Sequence, residues 1–269
     1  MQKKERIVVK VGTSTLTHST GALDLRSIER LVRSIADMKG EGYEVILVSS
    51  GAIAVGSAKL GLPERPKELR FKQAAAAVGQ CQLMHIYDKF FSEYNCSTAQ
   101  ILLTGDDIED EERAAHLRAT FSALLEMGVI PVVNENDSVS PAEIESGQHK
   151  IFGDNDTLSA VVASLCGARL LVLLSDIDGL YDHDPRTYPG AKLLPRVEEL
   201  TEEIEKMAGG AGTWRGTGGM ATKLCAARLA TAAGCDMVIT NGKRPWELND
   251  IVTGQEIGTR FLAKERGKT

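Results

Sequence analysis

The sequence predicts an α/β fold, in which a central and mostly parallel sheet lies between two layers of helices in a three-layer α/β/α sandwich. Short apolar segments alternate along the chain with longer segments of helical periodicity. Apolar strands that alternate with helices are typical of a parallel sheet covered on both faces. The length of 269 residues and the 43% content of hydrophobic residues suffice for one large domain of this kind.

Each predicted element rests on a pattern of its own. The strands are short runs of β-branched and other apolar residues, whereas the helices carry apolar residues three or four positions apart. We predict strands at 6–11, 43–48, 97–103, 129–133, 169–174 and 237–240. We predict helices at 25–38, 67–94, 106–127, 157–165, 201–207 and 219–233, and a further helix that opens near residue 52. The polar residues 134–153 are expected to form a hairpin or loop between two lobes.

Composition and charge argue against several functional classes. The formal charge of −6 is unlike that of a sequence-independent nucleic-acid binder, which is normally basic. No apolar run approaches the roughly 20 residues of a membrane span, and the charged N-terminus has no signal-peptide apolar region. Five cysteines without a Cys-x-x-Cys pair, and five scattered histidines, argue against a structural zinc site. We therefore expect a cytoplasmic protein that binds neither nucleic acid nor a membrane.

The segment 216–223 is the most informative feature of the chain. Three glycines expose backbone N–H groups, a predicted helix begins, and Lys223 follows early in that helix. Backbone amides at a helix N-terminus favour anions, and the added lysine favours phosphate. The common P-loop pattern is absent from the sequence, and no strand directly precedes the segment as the dinucleotide fingerprint requires. The segment therefore predicts phosphate binding by another architecture, with an ordinary linker before a helix as the alternative.

Polar residues also follow the first two predicted strands, where ligands of open α/β sheets bind. Lys10 interrupts an apolar strand, so its charge must be paired or functional unless the strand lies at an edge where lysine reaches solvent. Gly12 allows a turn that approaches phosphate closely. Residues 49–53 place small polar side chains at a helix start, which suits a carboxylate or phosphate ligand, although plain N-capping explains them equally simply.

Three further polar clusters follow later strands or open later helices. Residues 134–138 follow a fully apolar strand abruptly and are candidates for substrate contact. Asn155 stands between two aspartates at a helix start, where an acid could position lysines, orient magnesium or bind a substrate ammonium. Residues 175–186 form an acidic loop for which ribose or adenine contact is the functional interpretation and an Asx-turn the simpler one.

Taken in order, these motifs resemble the amino-acid kinase superfamily and, within it, the glutamate 5-kinases. The resemblance covers essentially the whole chain and is carried by residues 9–14, 48–52, 134–137, 152–156 and 216–223. It implies a single amino-acid kinase domain over 1–269, with a glutamate-binding lobe at about 1–150 and a nucleotide-binding lobe at 151–269. Many bacterial relatives carry a C-terminal PUA domain, which we expect to be absent because the sequence ends at Thr269. The bulky residues 213–215 depart from the pattern expected in the glycine-rich loop.

The resemblance also implies an activity and a set of site residues. The reaction would be the ATP-dependent phosphorylation of the side-chain carboxylate of L-glutamate, with Mg²⁺, as the first step of proline biosynthesis. Catalysis would rest on Lys10, Asp156 and Lys223, and glutamate would be held by Ser50, Gly51, Asp137 and Asn155. The nucleotide would contact Lys10, Ser175, Asp176, Thr217, Gly218, Gly219, Met220, Ala221, Thr222 and Lys223. No side chain is expected to bind the metal directly, proline is expected to inhibit, and the protein is expected to form a homo-oligomer.

Alternatives within and outside this family remain open at the level of sequence. N-acetylglutamate kinase and aspartokinase are the nearest, and Asp137 favours a substrate with an unmodified ammonium group over an acetylated one. A nucleoside monophosphate kinase would need additional cations for its phosphate acceptor. A catalytically silent amino-acid sensor is disfavoured because Lys10, Asp156 and Lys223 are all present.

Overall fold

The computed structural model describes residues 5–139, 154–207 and 219–263. The strands are β1 (Arg6–Val11), β2 (Glu44–Ser49), β3 (Thr98–Leu103), β4 (Ile130–Glu135), β5 (Leu170–Ser175), β6 (Arg196–Val197), β7 (Asp236–Asn241) and β8 (Thr259–Phe261). The helices are α1 (Thr13–Leu16), α2 (Leu25–Gly40), α3 (Ala52–Lys59), α4 (Leu69–Ser92), α5 (Asp106–Glu109), α6 (Glu111–Glu126), α7 (Asn155–Cys166), α8 (Glu202–Met207), α9 (Met220–Ala232) and α10 (Leu248–Val252). A 3₁₀ helix, Pro245–Glu247, precedes α10.

The strands form one eight-stranded sheet in the order β3-β4-β2-β1-β5-β7-β8-β6. The six strands from β3 to β7 in this order run parallel, and β8 pairs antiparallel with β7. The prediction of a mostly parallel sheet is confirmed. Parallel strands end at the same edge of a sheet, so the polar residues after β1, β2, β4 and β5 share one edge.

Two apolar clusters cover the two faces of the sheet, which gives the three predicted layers. One cluster joins Ile7 and Val9 of β1 to α2, α4 and α10. The other joins Val8 of β1 to α6, α7 and α9. Side chains alternate between the faces of a strand, so Lys10 projects on the same face as Val8, toward α7 and α9.

Several elements differ from the sequence predictions, each for a local reason. The helix predicted at 106–127 is divided into α5 and α6, because Asp110 has an extended conformation and its carboxylate accepts the N–H of Arg113 as the cap of α6. Strands β6 and β8, with two and three residues, and the four-residue helix α1 are too short to show a periodicity. No helix among the described residues is long and apolar enough to cross a membrane.

Helices α3 and α4 pack unusually closely at two glycines. A Cβ atom at Gly79 would lie 1.8 Å from the carbonyl oxygen of Ala52, and one at Gly56 would lie 1.8 Å from that of Ala75. Only glycine fits at such an approach of two backbones. The start of α3, which follows β2, is therefore held in a fixed position against the middle of α4.

Candidate active site

Three charged side chains meet near the carboxyl end of β1, at the first turns of α7 and α9. The Nζ atom of Lys10 lies 2.6 Å from Oδ1 of Asp156, and the Nζ atom of Lys223 lies 3.1 Å from Oδ2 of the same carboxylate. All three are buried, with exposed fractions of 9% for Lys10, 1% for Asp156 and 6% for Lys223. The fold thus brings together the three residues for which the resemblance implies catalysis.

The central position of β1 explains why Lys10 must be paired. Lys10 stands opposite Val48 of β2 and Leu173 of β5, so its strand is not an edge strand and the alternative of a solvent-reaching lysine is excluded. A lone ammonium group at such a depth would be strongly disfavoured. The carboxylate of Asp156 supplies the compensating charge.

The cluster carries one unit of excess positive charge, because two lysines surround one carboxylate. Burial by itself would raise the pKa of Asp156, but the charges of Lys10 and Lys223, together with their hydrogen bonds, hold the pKa of that carboxyl below its ordinary value. Asp156 is therefore ionised at neutral pH. A buried positive charge beside a cleft stabilises an anion that gains charge during a reaction.

Helix α7 places Asp156 and Asn155 in its first turn. The carboxylate of Asp154 caps the helix, and its Oδ1 accepts the N–H groups of Asp156 and Thr157 at 3.1 Å each. Asp154 therefore has the simple capping role that the sequence offered for one of the two acids. Asp156 does not, because its side chain binds the two lysines.

Asn155 belongs to a cluster of neutral polar groups beside the charged one. Its Nδ2 lies 3.1 Å from the carbonyl oxygen of Ser49, 2.8 Å from Oγ of Ser50 and 2.9 Å from Oδ1 of Asn134. Asn134 in turn donates from Nδ2 to Oε1 of Gln80 at 3.0 Å. Ser50 and Asn155, both predicted to bind the acceptor substrate, are thus in direct contact.

Gly51 allows the chain to turn from β2 into α3 directly after Ser50. Its φ of 102° lies in the left-handed region that favours glycine, and it caps α3 without a side chain. Ser50 is held by a hydrogen bond from its N–H to the carbonyl oxygen of Val11, at 3.1 Å. The first turns after β1 and β2 are thereby fixed to each other.

Helix α9 presents a second N-terminus to the charged cluster. Gly219 caps it without a side-chain hydrogen bond, and Met220 and Ala221 form the start of its first turn. The hydroxyl of Thr222 lies 3.2 Å from Oδ2 of Asp156 and 2.8 Å from the carbonyl oxygen of Gly219. The predicted nucleotide contacts Thr217 and Gly218 lie outside the described residues.

A cleft of about 320 Å³ opens next to Lys223. Its lining includes the predicted residues Ser175, Asp176, Gly219, Met220 and Lys223. It also includes Leu180 and His183, which belong to the predicted loop 175–186, and Met207, which no sequence motif singled out. The volume and the mixed lining suit a small organic ligand that carries an anionic group at the lysine end.

A second pocket, of about 380 Å³, contains the predicted residue Asp137. Ala52, Gln80 and Glu135 also line it. Gln80 lines this pocket and accepts a hydrogen bond from Asn134, which in turn accepts one from Asn155, so Gln80 and Asn134 together connect the pocket at Asp137 with Asn155. Sequence reasoning missed Gln80 because it lies in the middle of a helical pattern that follows an alanine run.

Comparison with known proteins finds a matching family and relatives of high sequence identity. Residues 5–241 match the model of the amino acid kinase family. The chain is 55% identical to the glutamate 5-kinase of Clostridium perfringens over 98% of both chains. It is also 55% identical to the glutamate 5-kinase of Carboxydothermus hydrogenoformans, over 99% of this chain and 70% of that protein. The resemblance to glutamate 5-kinases seen in the sequence motifs is confirmed.

Solved structures show the same fold at much lower identity. The carbamate kinase from Giardia lamblia bound to AMP-PNP superposes with a TM-score of 0.67 at 17% identity, over 97% of this chain and 99% of that one. The UMP kinase from Bacillus anthracis gives a TM-score of 0.65 at 15% identity, over 97% and 96% of the two chains. From the family model, the close relatives and the shared fold, we conclude that the chain belongs to the amino acid kinase family.

Proposed function

We propose that this chain transfers the γ-phosphoryl group of ATP to the side-chain carboxylate of L-glutamate, as the first step of proline biosynthesis. The products are L-glutamyl 5-phosphate and ADP. The observation that carries the proposal is the buried Lys10–Asp156–Lys223 cluster beside a cleft. It occurs in a chain more than half identical to glutamate 5-kinases over nearly its whole length.

The chemistry requires charge compensation more than proton transfer. The attacking carboxylate has an ordinary pKa of about 4.3, so it is already ionised at neutral pH and needs no general base. The obstacle is the approach of two anions, the carboxylate and the phosphate. The excess positive charge of Lys10, Asp156 and Lys223 lowers this repulsion, and the cluster holds both lysines in place before the reaction.

On the donor side, we propose that the nucleotide occupies the cleft between residues 175–186 and the start of α9. Lys223 lines this cleft and also forms an ion pair with Asp156, so a phosphate group bound at Lys223 would lie beside the charged cluster. The N–H groups at the start of α9, which Gly219 caps without a side chain, favour the same anion. Thr217 to Lys223 would close on the phosphates.

Mg²⁺ enters this scheme with the nucleotide. The described residues contain no group of three or more His, Cys, Asp or Glu side chains arranged to hold a metal ion. Asp156 is engaged by two lysines, and Asp176 accepts a hydrogen bond from Arg186 at 3.0 Å. We therefore propose that Mg²⁺ is bound by phosphate oxygens and water, as part of the MgATP substrate.

On the acceptor side, we propose that Ser50, Gly51, Asp137 and Asn155 hold glutamate. The Oγ atom of Ser50 accepts from Asn155, which leaves the hydroxyl proton of Ser50 for a ligand carboxylate. The carboxylate of Asp137, in the second pocket, is suited to the α-ammonium group. Most of the proposed glutamate-binding residues precede residue 150, and most of the proposed nucleotide-binding residues follow it. This separation supports an acceptor lobe at about 1–150 and a nucleotide lobe at 151–269.

The proposal is tested by ADP release from MgATP with glutamate, aspartate, N-acetylglutamate and UMP as acceptors. We expect glutamate-dependent release, with N-acetylglutamate at least tenfold poorer because Asp137 would face an amide, a difference of about 1.4 kcal/mol or more. Addition of hydroxylamine should trap the acyl phosphate as a hydroxamate. Equal rates with glutamate and N-acetylglutamate, or a preference for UMP, would contradict the proposal.

The family resemblance further supports inhibition by proline at or near the glutamate site, a homo-oligomeric state and a cytoplasmic location. Inhibition by proline should be relieved by added glutamate in steady-state assays. Insensitivity to millimolar proline would contradict that part of the proposal.

A further inference from the structure

We propose that Gln80 determines the choice of acceptor substrate by donating a hydrogen bond from Nε2 to the α-carboxylate of the bound amino acid. This inference rests on the proposed function, since it assigns one end of the same substrate to a side chain in α4. It would make the pocket at Asp137 a site for both α-substituents, with Asp137 for the ammonium group and Gln80 for the carboxylate.

The direction of the Gln80 amide follows from two backbone groups. The carbonyl oxygen of Ser49 can only accept, so the atom of Asn155 facing it at 3.1 Å is Nδ2. The N–H of Glu135 can only donate, so the atom of Asn134 facing it at 2.9 Å is Oδ1. Nδ2 of Asn134 then points to Gln80 at 3.0 Å, and the facing atom of Gln80 is Oε1. The other amide atom of Gln80 is therefore the Nε2 donor.

The Nε2 group of Gln80 reaches the surface of the pocket. Gln80 is only 9% exposed and lines the pocket of about 380 Å³ that also contains Asp137. Within the described residues, no group accepts a hydrogen bond from Nε2. This atom is also not fully buried, so a ligand in the pocket can reach it. A hydrogen-bond donor whose direction is fixed and which remains accessible from the pocket can orient a ligand among mostly apolar lining groups.

The charges around the pocket explain why such a donor is needed. Glu135 and Asp137 both line it, and a ligand carboxylate would be repelled by them. The amide of Gln80 offers a neutral donor whose direction is fixed by its bond to Asn134. Gln100 also lines the pocket, but it is exposed, and within the described part of the chain no hydrogen bond fixes the direction of its amide.

The packing of α3 against α4 holds Gln80 in this position. Gly79, the preceding residue, approaches the backbone of Ala52 so closely that no side chain fits between them. Ala52 follows Ser50 by two residues, so the same helix contact sets the distance between the Gln80 amide and the Ser50 hydroxyl. Both groups can therefore act on one small ligand.

The test compares glutamate with L-isoglutamine, in which the α-carboxylate is replaced by a neutral carboxamide while the reacting side-chain carboxylate is kept. The native enzyme should prefer glutamate strongly in kcat/KM. Gln80→Glu keeps an acceptor for Asn134 but replaces the donor by an anion. We expect it to raise the KM for glutamate at least tenfold, to leave the KM for ATP within about threefold, and to lower the preference for glutamate over isoglutamine at least tenfold.

Gln82→Glu is the matched control, because Gln82 lies in the same helix and pairs with the exposed Lys59 instead. It should leave both KM values and the preference unchanged. If Gln80→Glu does not fold, Gln80→Met with Gln82→Met as its control applies the same test, since it removes the donor and keeps the length of the side chain. A loss of preference in either Gln80 variant supports the inference.

Two other results would overturn it. If Gln80→Glu or Gln80→Met folded and kept the native preference for glutamate over isoglutamine, Gln80 would only support Asn134 and the inference would fail while the proposed function stood. If the native protein released no ADP with glutamate, the proposed function would fail and the inference with it.

Discussion

Two neighbouring residues of α7 belong to two very different clusters. Asp156 joins Lys10 and Lys223 in a buried group of full charges. Asn155, one position earlier, joins Ser50, Asn134 and Gln80 in a network of neutral amides and hydroxyls. Under the proposed function, the full charges would lie where the phosphoryl group moves, and the neutral donors would orient the amino acid.

The largest expected effect in this comparison comes from removing the central charge. Asp156→Asn leaves two buried lysines without their carboxylate, and loss of one partner from a buried ion pair commonly costs about 3–5 kcal/mol. We expect the free energy of unfolding at pH 7 to fall by about this amount and phosphoryl transfer to be lost. Denaturant unfolding of the variant, beside Asp176→Asn as an exposed control, provides the measurement.

The same variant tests the pKa of Asp156. Because the folded-state pKa of this carboxyl lies below its ordinary value of 3.8, its charge contributes stability above that pH and loses the contribution as the pH falls through the folded pKa. The stability difference between the native protein and Asp156→Asn should therefore be greatest near neutrality and should shrink below about pH 4. A difference that grew on acidification would contradict this account.

The next largest effect concerns the two lysines separately. Lys10→Ala or Lys223→Ala should lower kcat by about a hundredfold or more, which corresponds to about 3 kcal/mol, because in the proposed reaction each would contact the transferring phosphoryl group. Glutamate binding measured by calorimetry without nucleotide should change little. Lys243→Ala, at an exposed position, serves as the control. Near-normal turnover of Lys223→Ala would mean that the phosphate site lies elsewhere.

A change on the amino-acid side should have the opposite kinetic pattern. Asp137→Asn keeps the shape of the side chain and removes its charge, so it should raise the KM for glutamate about tenfold and leave kcat within about threefold, a loss of about 1.4 kcal/mol. Steady-state kinetics at saturating ATP would measure both. A reduced kcat with an unchanged KM for glutamate would mean that Asp137 acts in phosphoryl transfer instead. The proposed functional difference between the two sides of the site would then not hold.

The smallest effect is expected at the rim of the nucleotide cleft. The side chains of Arg186 and Asp176 form an ion pair at 3.0 Å, but both are more than half exposed. Exposed pairs contribute roughly 0–1 kcal/mol. Arg186→Ala should therefore change the KM for ATP by no more than about fivefold and leave glutamate kinetics unchanged. A larger effect would mean that Arg186 contacts the nucleotide itself.

The charged cluster could be predicted from sequence far better than the neutral one. A lysine within an apolar strand is unfavourable unless its charge is paired or has a function, so Lys10 could be identified as a candidate from the local sequence. Asp156 and Lys223 stood at helix starts with recognisable patterns. Gln80 had no such signal, because a polar residue in a helix is ordinary and its partner Asn134 is 54 positions away.

The parallel core of the sheet was predictable for a similar reason. Strands such as β1 and β5 consist largely of apolar residues, which is a strong local pattern, whereas β6 has two residues and β8 has three. The division of the helix at Asp110 depends on the carboxylate of Asp110, which accepts the N–H of Arg113. Residue propensities alone do not distinguish such a cap from one more acidic residue in a continuous helix.

The adjacency of Asn155 and Asp156 has a mechanical consequence. Their Cα atoms are joined by one peptide unit and are therefore about 3.8 Å apart, a distance that is set by covalent geometry and does not change when packed elements shift. Any rocking of α7 displaces both side chains together. In the proposed reaction, the residue that contacts the acceptor site and the residue that holds the two lysines would therefore keep their backbone spacing if α7 shifted against its neighbours.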